Sequence, residues 1–311
     1  MIELRGLTKR YRDTTAVDDL TCTFRPGVVT GFLGPNGAGK TTTMLMTLGL
    51  QRPTAGSALL GGRRYRDLPV PMREAGALLD ARAVHHARSG RNHLLALATS
   101  NGLPRRRVDE VLDLVGLTAV AGKAAGTYSL GMSQRLGIAG ALLGDPPILL
   151  FDEPVNGLDP SGIAWARTLM RGLAAEGRTV VVSSHLMSEM EQTADHLVVI
   201  GKGRLIADTS LAEFLASQPA ASQTAASQTA AGMVVRAADA GFAETLRGAG
   251  ATVVAQDDGG LLVGGIDAYG VGKLALASGT VLTELSPRRS SLEEVFMAMT
   301  AESVEFSGGA R

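Results

Sequence analysis

The sequence predicts an α/β protein with a parallel sheet, followed by a small α+β domain. Residues 148–151 and 179–183 are short apolar runs, which are typical of parallel strands that are covered on both faces. A predicted helix at 163–176 lies between them, so the three segments form a β-α-β unit. The length of 311 residues fits one large domain and one small one.

The N-terminal half supplies further strands and helices. Residues 1–33 alternate between apolar and polar side chains and are divided by turn residues, so they predict short strands. Residues 53–82 have the pattern of short strands separated by turns. Apolar residues recur at helical spacing along 90–144, which predicts a helical region.

A change of composition indicates where the large domain ends. Residues 216–232 are rich in Ala, Ser, Gln and Thr and repeat the pentapeptide Ala-Ser-Gln-Thr-Ala, which favours a linker. We therefore expect the large domain at 1–215, the linker at 216–232 and the small α+β domain at 233–311. Strands and helices are predicted to follow one another in the small domain, with a last helix at 291–299.

Composition and charge exclude several classes of protein. The chain is 45% hydrophobic, and its 30 basic and 30 acidic side chains balance, which argues against wholesale disorder and against a strongly basic nucleic-acid binder. The single cysteine, Cys22, cannot form an internal disulfide, which fits a reducing compartment. The sequence lacks a signal-peptide core and any run near the ~20 apolar residues of a membrane helix. A link to a membrane is therefore expected to run through a partner.

A glycine-rich loop follows the apolar residues 28–33 and precedes a predicted helix. Its residues are Gly34, Pro35, Asn36, Gly37, Ala38, Gly39, Lys40, Thr41 and Thr42. This spacing matches a phosphate loop, in which glycines let backbone N–H groups surround a phosphate and a helix N-terminus attracts it. Lys40 can bridge two phosphates, and the Thr41 hydroxyl can bind Mg²⁺. The alternative, a glycine-rich turn, is disfavoured by the strand before the loop and the helix after it.

Two acids end the apolar strand at 148–151. Asp152 stands at the carboxyl end of that strand, where ligands bind in open α/β sheets, and it is predicted to hold Mg²⁺ through water. Glu153 is placed to polarise an attacking water. The alternative is that both acids simply begin the next helix. Their combination with a phosphate loop favours a P-loop NTPase.

Four further motifs have the order and spacing of one family. They are Tyr11, the segment Tyr-Ser-Leu-Gly-Met-Ser-Gln-Arg at 128–135, the segment Asn-Gly-Leu-Asp-Pro at 156–160, and the strand end Ser183-Ser184-His185. Over residues 1–210 the chain resembles the cassette of ABC-type ATPases, with these motifs as its adenine-stacking aromatic, signature, D-loop and switch histidine. The resemblance implies a P-loop ABC cassette fold, with a RecA-like core and antiparallel β and helical subdomains.

The resemblance also implies roles for these residues. Tyr11 would stack on adenine, and His185 would contact the γ-phosphate and fix the water together with Glu153. In the family the signature binds the nucleotide of the other subunit, so the working unit would be a head-to-tail dimer around two ATP and their Mg²⁺ ions. Taken alone, 128–135 would rather be an ordinary helix cap. Further nucleotide contacts are implied for Ser129, Gly131, Met132 and Asp159.

Two positions depart from the family pattern. The family usually has a glutamine that senses Mg²⁺ where this chain has Asp80. A carboxylate can still reach Mg²⁺ or its water, so Asp80 is a predicted metal ligand. The signature ends in Met132 rather than glutamine. Because a backbone N–H serves at that position, this change is expected to matter less.

The variant signature, Asp80 and the tail at 291–300 are similar to cassettes of bacitracin- and daunorubicin-resistance systems. The resemblance implies an ATP-hydrolysing subunit, as a homodimer or a paired cassette, that drives a separately encoded membrane permease from the inner face of the cell membrane. Export of drug- or antibiotic-like compounds is expected. The tail residues predicted to cover the core of the small domain are Leu292, Val295, Phe296 and Met299.

Two other functions remain open at this point. One is an ABC ATPase that acts on ribosomes or other nucleic-acid machinery, which the single phosphate loop and the balanced charge disfavour. The other is an ATP-gated regulatory or immunity module that works without a permease, for which the small C-terminal domain leaves room.

Overall fold

The computed structural model describes residues 1–217, 232–239, 241–256, 259–287 and 291–300. They divide into a larger unit that contains Met1–Leu211 and a smaller unit within Ala212–Met299. Nearly all of the linker predicted at 216–232 lies outside the described residues, as does 301–311 at the end of the predicted small domain.

The described part of the chain before the predicted linker contains nine strands and eight α-helices. The strands are β1 (Ile2–Tyr11), β2 (Thr14–Phe24), β3 (Val29–Leu33), β4 (Ala55–Leu60), β5 (Ala75–Leu78), β6 (Ile148–Asp152), β7 (Thr179–Ser183), β8 (His196–Gly201) and β9 (Arg204–Ser210). The helices are α1 (Lys40–Thr47), α2 (Pro71–Glu74), α3 (Gly90–Ser100), α4 (Arg106–Leu114), α5 (Leu130–Leu142), α6 (Pro160–Ala175), α7 (Met187–Thr193) and α8 (Leu211–Ala216). Short 3₁₀ turns occur at Tyr65–Asp67, Thr118–Val120 and Ala125–Thr127.

Two sheets form the larger unit. The six-stranded sheet has the order β5-β6-β7-β3-β8-β9, and its strands are parallel except for the antiparallel edge strand β9. The three-stranded sheet β2-β1-β4 is antiparallel. The predicted α/β architecture with an added antiparallel sheet is therefore confirmed. Because β6, β7 and β3 are neighbours, the segments that follow them meet at one edge of the sheet.

A shared core fixes helix α1 between the two sheets. Phe24 of the antiparallel sheet and Phe32 of the parallel sheet meet edge to face, with ring centroids 5.6 Å apart. Met44 on α1 is fully buried in the same cluster. Burial of this apolar surface anchors the helix, so the loop that precedes α1 begins and ends on rigid elements.

The helical region predicted at 90–144 is divided into three helices. Gly116 adopts a left-handed φ of 70° just after α4, a conformation that glycine enters without strain. Ser129 then caps the N-terminus of α5 by accepting a hydrogen bond from the Met132 N–H at 3.2 Å. These two residues separate α4 from α5, and the chain between them forms only short turns, while residues 101–105 separate α3 from α4. The prediction of helix throughout this region was wrong for 101–105 and 115–129.

The smaller unit is an antiparallel sheet with two helices packed on its core. Its strands, in the sheet order β11-β12-β10-β13, are β10 (Met233–Ala237), β11 (Thr252–Ala255), β12 (Leu261–Gly264) and β13 (Leu282–Pro287). Its helices are α9 (Phe242–Gly248), α10 (Ala268–Ser278) and α11 (Leu292–Thr300). Val235, Phe242 and Val263 are central to the core. On α11, the buried predicted residues are Leu292, Val295 and Phe296. They are not members of that core cluster, so their role in covering it stays a prediction.

Candidate functional site

The glycine-rich loop joins β3 to α1 at the edge where the parallel strands end. Gly39 adopts φ 102° as the N-cap of α1. A Cβ on Gly39 would lie 2.4 Å from the Ala16 carbonyl oxygen, and a Cβ on Gly34 would lie 2.5 Å from the Ile200 carbonyl oxygen. Both positions therefore require glycine. The loop can wrap closely around a phosphate only because these side chains are absent.

Lys40 lies at the first position of α1 and points back across the loop. Its Nζ donates hydrogen bonds to the carbonyl oxygens of Gly34 at 2.6 Å and Pro35 at 3.3 Å. Burial lowers the pKa of Lys40, while the nearby Glu153 and Asp152 carboxylates act in the opposite direction. The ammonium is thus held beside the loop, where a phosphate would bind.

Asp152 and Thr41 offer two oxygen ligands at one point. The Thr41 hydroxyl donates to Asp152 Oδ2 at 2.6 Å, and the Ser183 hydroxyl donates to Asp152 Oδ1. The register pairs Asp152 with Ser183 directly. Among the described residues, no group of three or more His, Cys, Asp or Glu side chains could hold a metal ion. A hydroxyl and one carboxylate suit Mg²⁺, which binds few protein ligands and keeps several waters.

Glu153 follows with a constrained backbone. Its φ of 51° lies in the left-handed region, which side chains other than glycine rarely adopt. Its N–H donates to the Ser183 carbonyl oxygen at 3.2 Å and to the Ser183 hydroxyl at 3.1 Å. Its Oε2 lies 2.7 Å from His185 Nδ1. The two predicted catalytic side chains are therefore in direct contact.

These residues surround a cleft of about 310 Å³. It is lined by Asn36, Gly37, Ala38, Gly39, Lys40, Thr41, Thr42, Asp152 and Glu153. The structure thus brings most of the predicted phosphate loop together with both predicted acids. The predicted site residues outside this lining are Tyr11, Gly34, Pro35, Asp80, Ser129, Gly131, Met132, Asp159 and His185.

Ser129 and Asp159 each cap a helix. Ser129 caps α5, as described above, and Asp159 caps α6 by accepting from the Gly162 N–H at 2.8 Å. This hydrogen bond, followed by that from the Ser161 hydroxyl, lowers the pKa of Asp159. A Cβ on Gly131 would lie 3.0 Å from the Gly157 carbonyl oxygen. The signature segment at 128–135 and the D-loop segment at 156–160 therefore pack closely on each other.

Tyr11 and Asp80 lie at other places. The Tyr11 hydroxyl donates to the Gln51 side chain, and Lys9 Nζ lies 5.0 Å from the centroid of the Tyr11 ring. Asp80 Oδ1 accepts from the Arg82 N–H at 2.8 Å and forms a tight turn. Asp80 lines a separate cavity of about 360 Å³, which the residues of β5 also line.

Comparison with known proteins decides the family. A family described as ABC transporter matches residues 17–156. The chain is 44% identical over 209 residues to an uncharacterized ABC transporter ATP-binding protein of Bacillus subtilis, and the match covers 66% of this chain and 68% of that protein. This chain belongs to the ATP-binding proteins of ABC transporters. As an ABC ATP-binding protein, it is an ATPase that binds ATP with Mg²⁺.

Further similarities agree with this assignment. The ABC ATP-binding protein is 42% identical over 211 residues to the bacitracin transport ATP-binding protein BcrA of Bacillus licheniformis, with 67% of this chain and 69% of BcrA covered. It also matches the structure of cbiO1 of Clostridium perfringens, part of the ABC transporter complex cbiONQ, with a TM-score of 0.60 and 27% identity. That match covers 70% of this chain and 90% of cbiO1. Residues 231–293 match a domain of unknown function.

The contacts of two residues of the ABC ATP-binding protein were not predicted. Ser183 holds both Asp152 and the Glu153 N–H. The side chain of Gln134 donates from Nε2 to the Glu153 carbonyl oxygen at 3.3 Å. Ser183 could have been found by aligning the ends of two predicted neighbouring strands. Nothing in the sequence indicates the contact of Gln134, because it depends on how α5 packs against the loop after β6.

Proposed function

We propose that this chain powers an exporter of antibiotic-like compounds as one of two ATPase subunits beneath a separate membrane permease. The observation that carries the proposal is the cluster at the sheet edge. Thr41 and Asp152 share a 2.6 Å hydrogen bond, and Glu153 and His185 are 2.7 Å apart beside the phosphate loop. A metal-ligand pair next to a carboxylate and a histidine is what phosphoryl transfer to water needs.

The cleft residues divide the work of hydrolysis. The loop N–H groups and Lys40 would bind the phosphates. The Thr41 hydroxyl and the Asp152 carboxylate would hold Mg²⁺, which would neutralise phosphate charge. Glu153 accepts a proton from the attacking water or orients it. His185 fixes the Glu153 carboxylate and reaches toward the γ-phosphate.

The other predicted nucleotide contacts lie on a surface that we propose faces a second cassette. Ser129, Gly131, Met132 and Asp159 lie at helix N-termini, where backbone N–H groups attract phosphate. They are outside the lining of the cleft in their own chain. We therefore propose that they complete the cleft of a partner cassette, in a homodimer or a paired dimer. ATP that bridges the interface closes the dimer, and hydrolysis reopens it.

Tyr11 and Asp80 have separate proposed roles. Tyr11 is 42% exposed, and its proposed role is to stack on adenine. Asp80 would approach Mg²⁺ or its water from the end of β5. In the structure it bonds its own turn, so this role requires the 80–82 turn to rearrange.

The transport role is supported by the relatives. BcrA is named as a bacitracin transport protein, and cbiO1 is part of a transporter complex. In the part of the chain that the structure describes, no helix is long and apolar enough to cross a membrane. We propose that a separate permease supplies the membrane path and holds this chain at the cytoplasmic face.

The proposal is tested by trapping the complex. A tagged Glu153→Gln variant is purified with ATP and Mg²⁺ from gently solubilised membranes of its host, because loss of the base should preserve the ATP-bound dimer. A polytopic membrane protein in stoichiometric amount is expected. A dimer that carries only ribosomal or regulatory proteins would leave the ATPase standing and contradict the transport role.

A further inference from the structure

We infer that Gln134 is a positioning residue for Glu153, through which helix α5 sets the orientation of the catalytic carboxylate. The inference rests on the proposed role of Glu153 as the group that acts on water. It concerns a side chain inside the protein, since Gln134 is 6% exposed and does not line the phosphate cleft.

Gln134 occupies its site at an energetic disadvantage. Its Nε2 donates to the Glu153 carbonyl oxygen at 3.3 Å. Its Oε1 is buried and has no hydrogen-bond partner among the described residues. A buried acceptor without a partner destabilises a protein, whereas an apolar side chain of the same length leaves nothing unsatisfied. A stability role therefore does not account for glutamine here, and its one hydrogen bond points to a function.

That hydrogen bond acts on the residue whose backbone is most constrained at the site. Glu153 is in the left-handed region with φ 51°, a conformation that persists only where neighbouring groups hold it. Ser183 accepts hydrogen bonds from the Glu153 N–H. The Glu153 carbonyl oxygen accepts from the Asn156 N–H at 3.3 Å, within the same turn, and from Gln134 on helix α5.

The direction of the Glu153 side chain depends on this backbone. A rotation of either peptide plane would swing the carboxylate away from His185, which lies 2.7 Å from it. Because catalysis by a base requires its carboxylate within hydrogen-bond distance of the water, a small rotation would slow hydrolysis. It would leave the phosphate loop and its affinity for ATP unchanged.

Gln134 also connects Glu153 to the signature. It lies on α5, the helix that Ser129 caps. The next residue, Arg135, stacks its guanidinium 4.3 Å from the centroid of the Trp165 ring on α6. Helix α5 is therefore fixed to the loop after β6 and to α6 together. When the N-terminus of α5 binds phosphate across the dimer, a shift of the helix reaches Glu153 through Gln134. This arrangement couples one ATP site to the base of the other.

The test replaces Gln134 by methionine, which has similar length but neither donor nor acceptor. The Gln134→Met variant is expected to lower kcat about 10- to 100-fold, with KM for ATP within about 2-fold, because only the base is misplaced. Its stability to urea should equal or exceed that of the wild type, since the unpartnered acceptor is gone. The Hill coefficient for ATP should fall toward one.

Gln192→Met is the matched control. Gln192 Nε2 also donates to a backbone carbonyl at 3.3 Å, that of Ser188, but this hydrogen bond is exposed and lies within α7. It should leave kcat unchanged. In a Glu153→Gln background, Gln134→Met should have no further effect on kcat, because both changes act on one step.

Several outcomes would overturn the inference. A Gln134→Met variant with wild-type kcat would do so, provided that Glu153→Gln is inactive, and the proposed base would then stand. Full activity of Glu153→Gln would instead refute the proposed base itself. If Gln134→Met does not fold, Gln134→Leu is measured in its place. A folded variant whose kcat and KM change in proportion would indicate a general structural role and contradict positioning.

Discussion

The predicted site has two parts, the edge of the six-stranded sheet and the N-termini of α5 and α6. They differ in which residues contact the site side chains. At the sheet edge, segments from three neighbouring strands contact one another, as in Thr41 with Asp152 and Glu153 with His185. At the helix N-termini, Ser129 and Asp159 bond to the first turns of their own helices. The contacts at the sheet edge are made within one chain, whereas the helix N-termini are proposed to complete the cleft of a second chain.

The largest expected effect lies at the sheet edge. Glu153→Gln should lower kcat at least about 100-fold, because an amide cannot take a proton from water. ATP binding should persist, since the phosphate loop and Lys40 are unchanged. Phosphate release and nucleotide binding measure the two separately.

Glu244→Gln is the control for this change. Glu244 lies on α9 of the smaller unit and pairs with Arg247, so its loss should not change kcat. Wild-type hydrolysis by Glu153→Gln would show that the sheet edge is not the chemical centre.

A smaller effect is expected at the helix N-termini, and it can be separated from stability. Ser129 caps α5 and Ser89 caps α3, and each hydroxyl accepts from an N–H at 3.2 Å. Replacement of either serine by alanine should lower the free energy of unfolding by about 1 kcal/mol. Only Ser129→Ala should also slow hydrolysis, by about 10-fold, because only Ser129 is proposed to contact a phosphate. Equal activity losses in the two variants would mean that Ser129 is only a helix cap.

The next comparison is between two carboxylates predicted to act on Mg²⁺. Asp152 contacts Thr41 in the cleft, whereas Asp80 bonds the Arg82 N–H beside another cavity. Asp152→Asn should raise the Mg²⁺ concentration needed for half-maximal hydrolysis about 10-fold or more, and Asp80→Asn should raise it less. A larger shift for Asp80→Asn would make Asp80 the main protein ligand and contradict the geometry.

The smallest expected effect is the pH dependence of the α6 cap. The Gly162 N–H and then the Ser161 hydroxyl lower the pKa of Asp159 below its ordinary value. The charged form is therefore favoured in the folded state. Its contribution to stability is complete above the pKa of the unfolded carboxyl, near about 4, and is lost as pH falls through the lower folded pKa. The urea midpoints of wild type and Asp159→Asn should converge on acidification. A difference between the midpoints that widens would contradict a lowered pKa of Asp159 in the folded state.

Local signals allowed much of the cleft to be predicted. Apolar runs predicted β6 and β7, and the glycine spacing identified the phosphate loop. Because Asp152 and Glu153 follow the apolar run of β6, they were expected at the edge of the sheet. Contacts that depend on tertiary packing were not predictable. The hydrogen bond from Tyr11 to Gln51 and that from Gln134 to Glu153 depend on how α1 and α5 are placed. The breaks in 115–129 depend on one glycine and one cap, which periodicity does not detect.

The most direct test of the account mixes two inactive chains. Lys40→Ala destroys the cleft of its own chain, and Ser129→Arg blocks the surface offered to a partner, so neither homodimer should hydrolyse ATP. In a mixed dimer, isolated with two different tags, the intact cleft of one chain meets the intact Ser129 of the other. The account predicts that this dimer regains ATP hydrolysis. A mixed dimer that stays inactive, or a Ser129→Arg homodimer as active as wild type, would contradict a site shared between two chains.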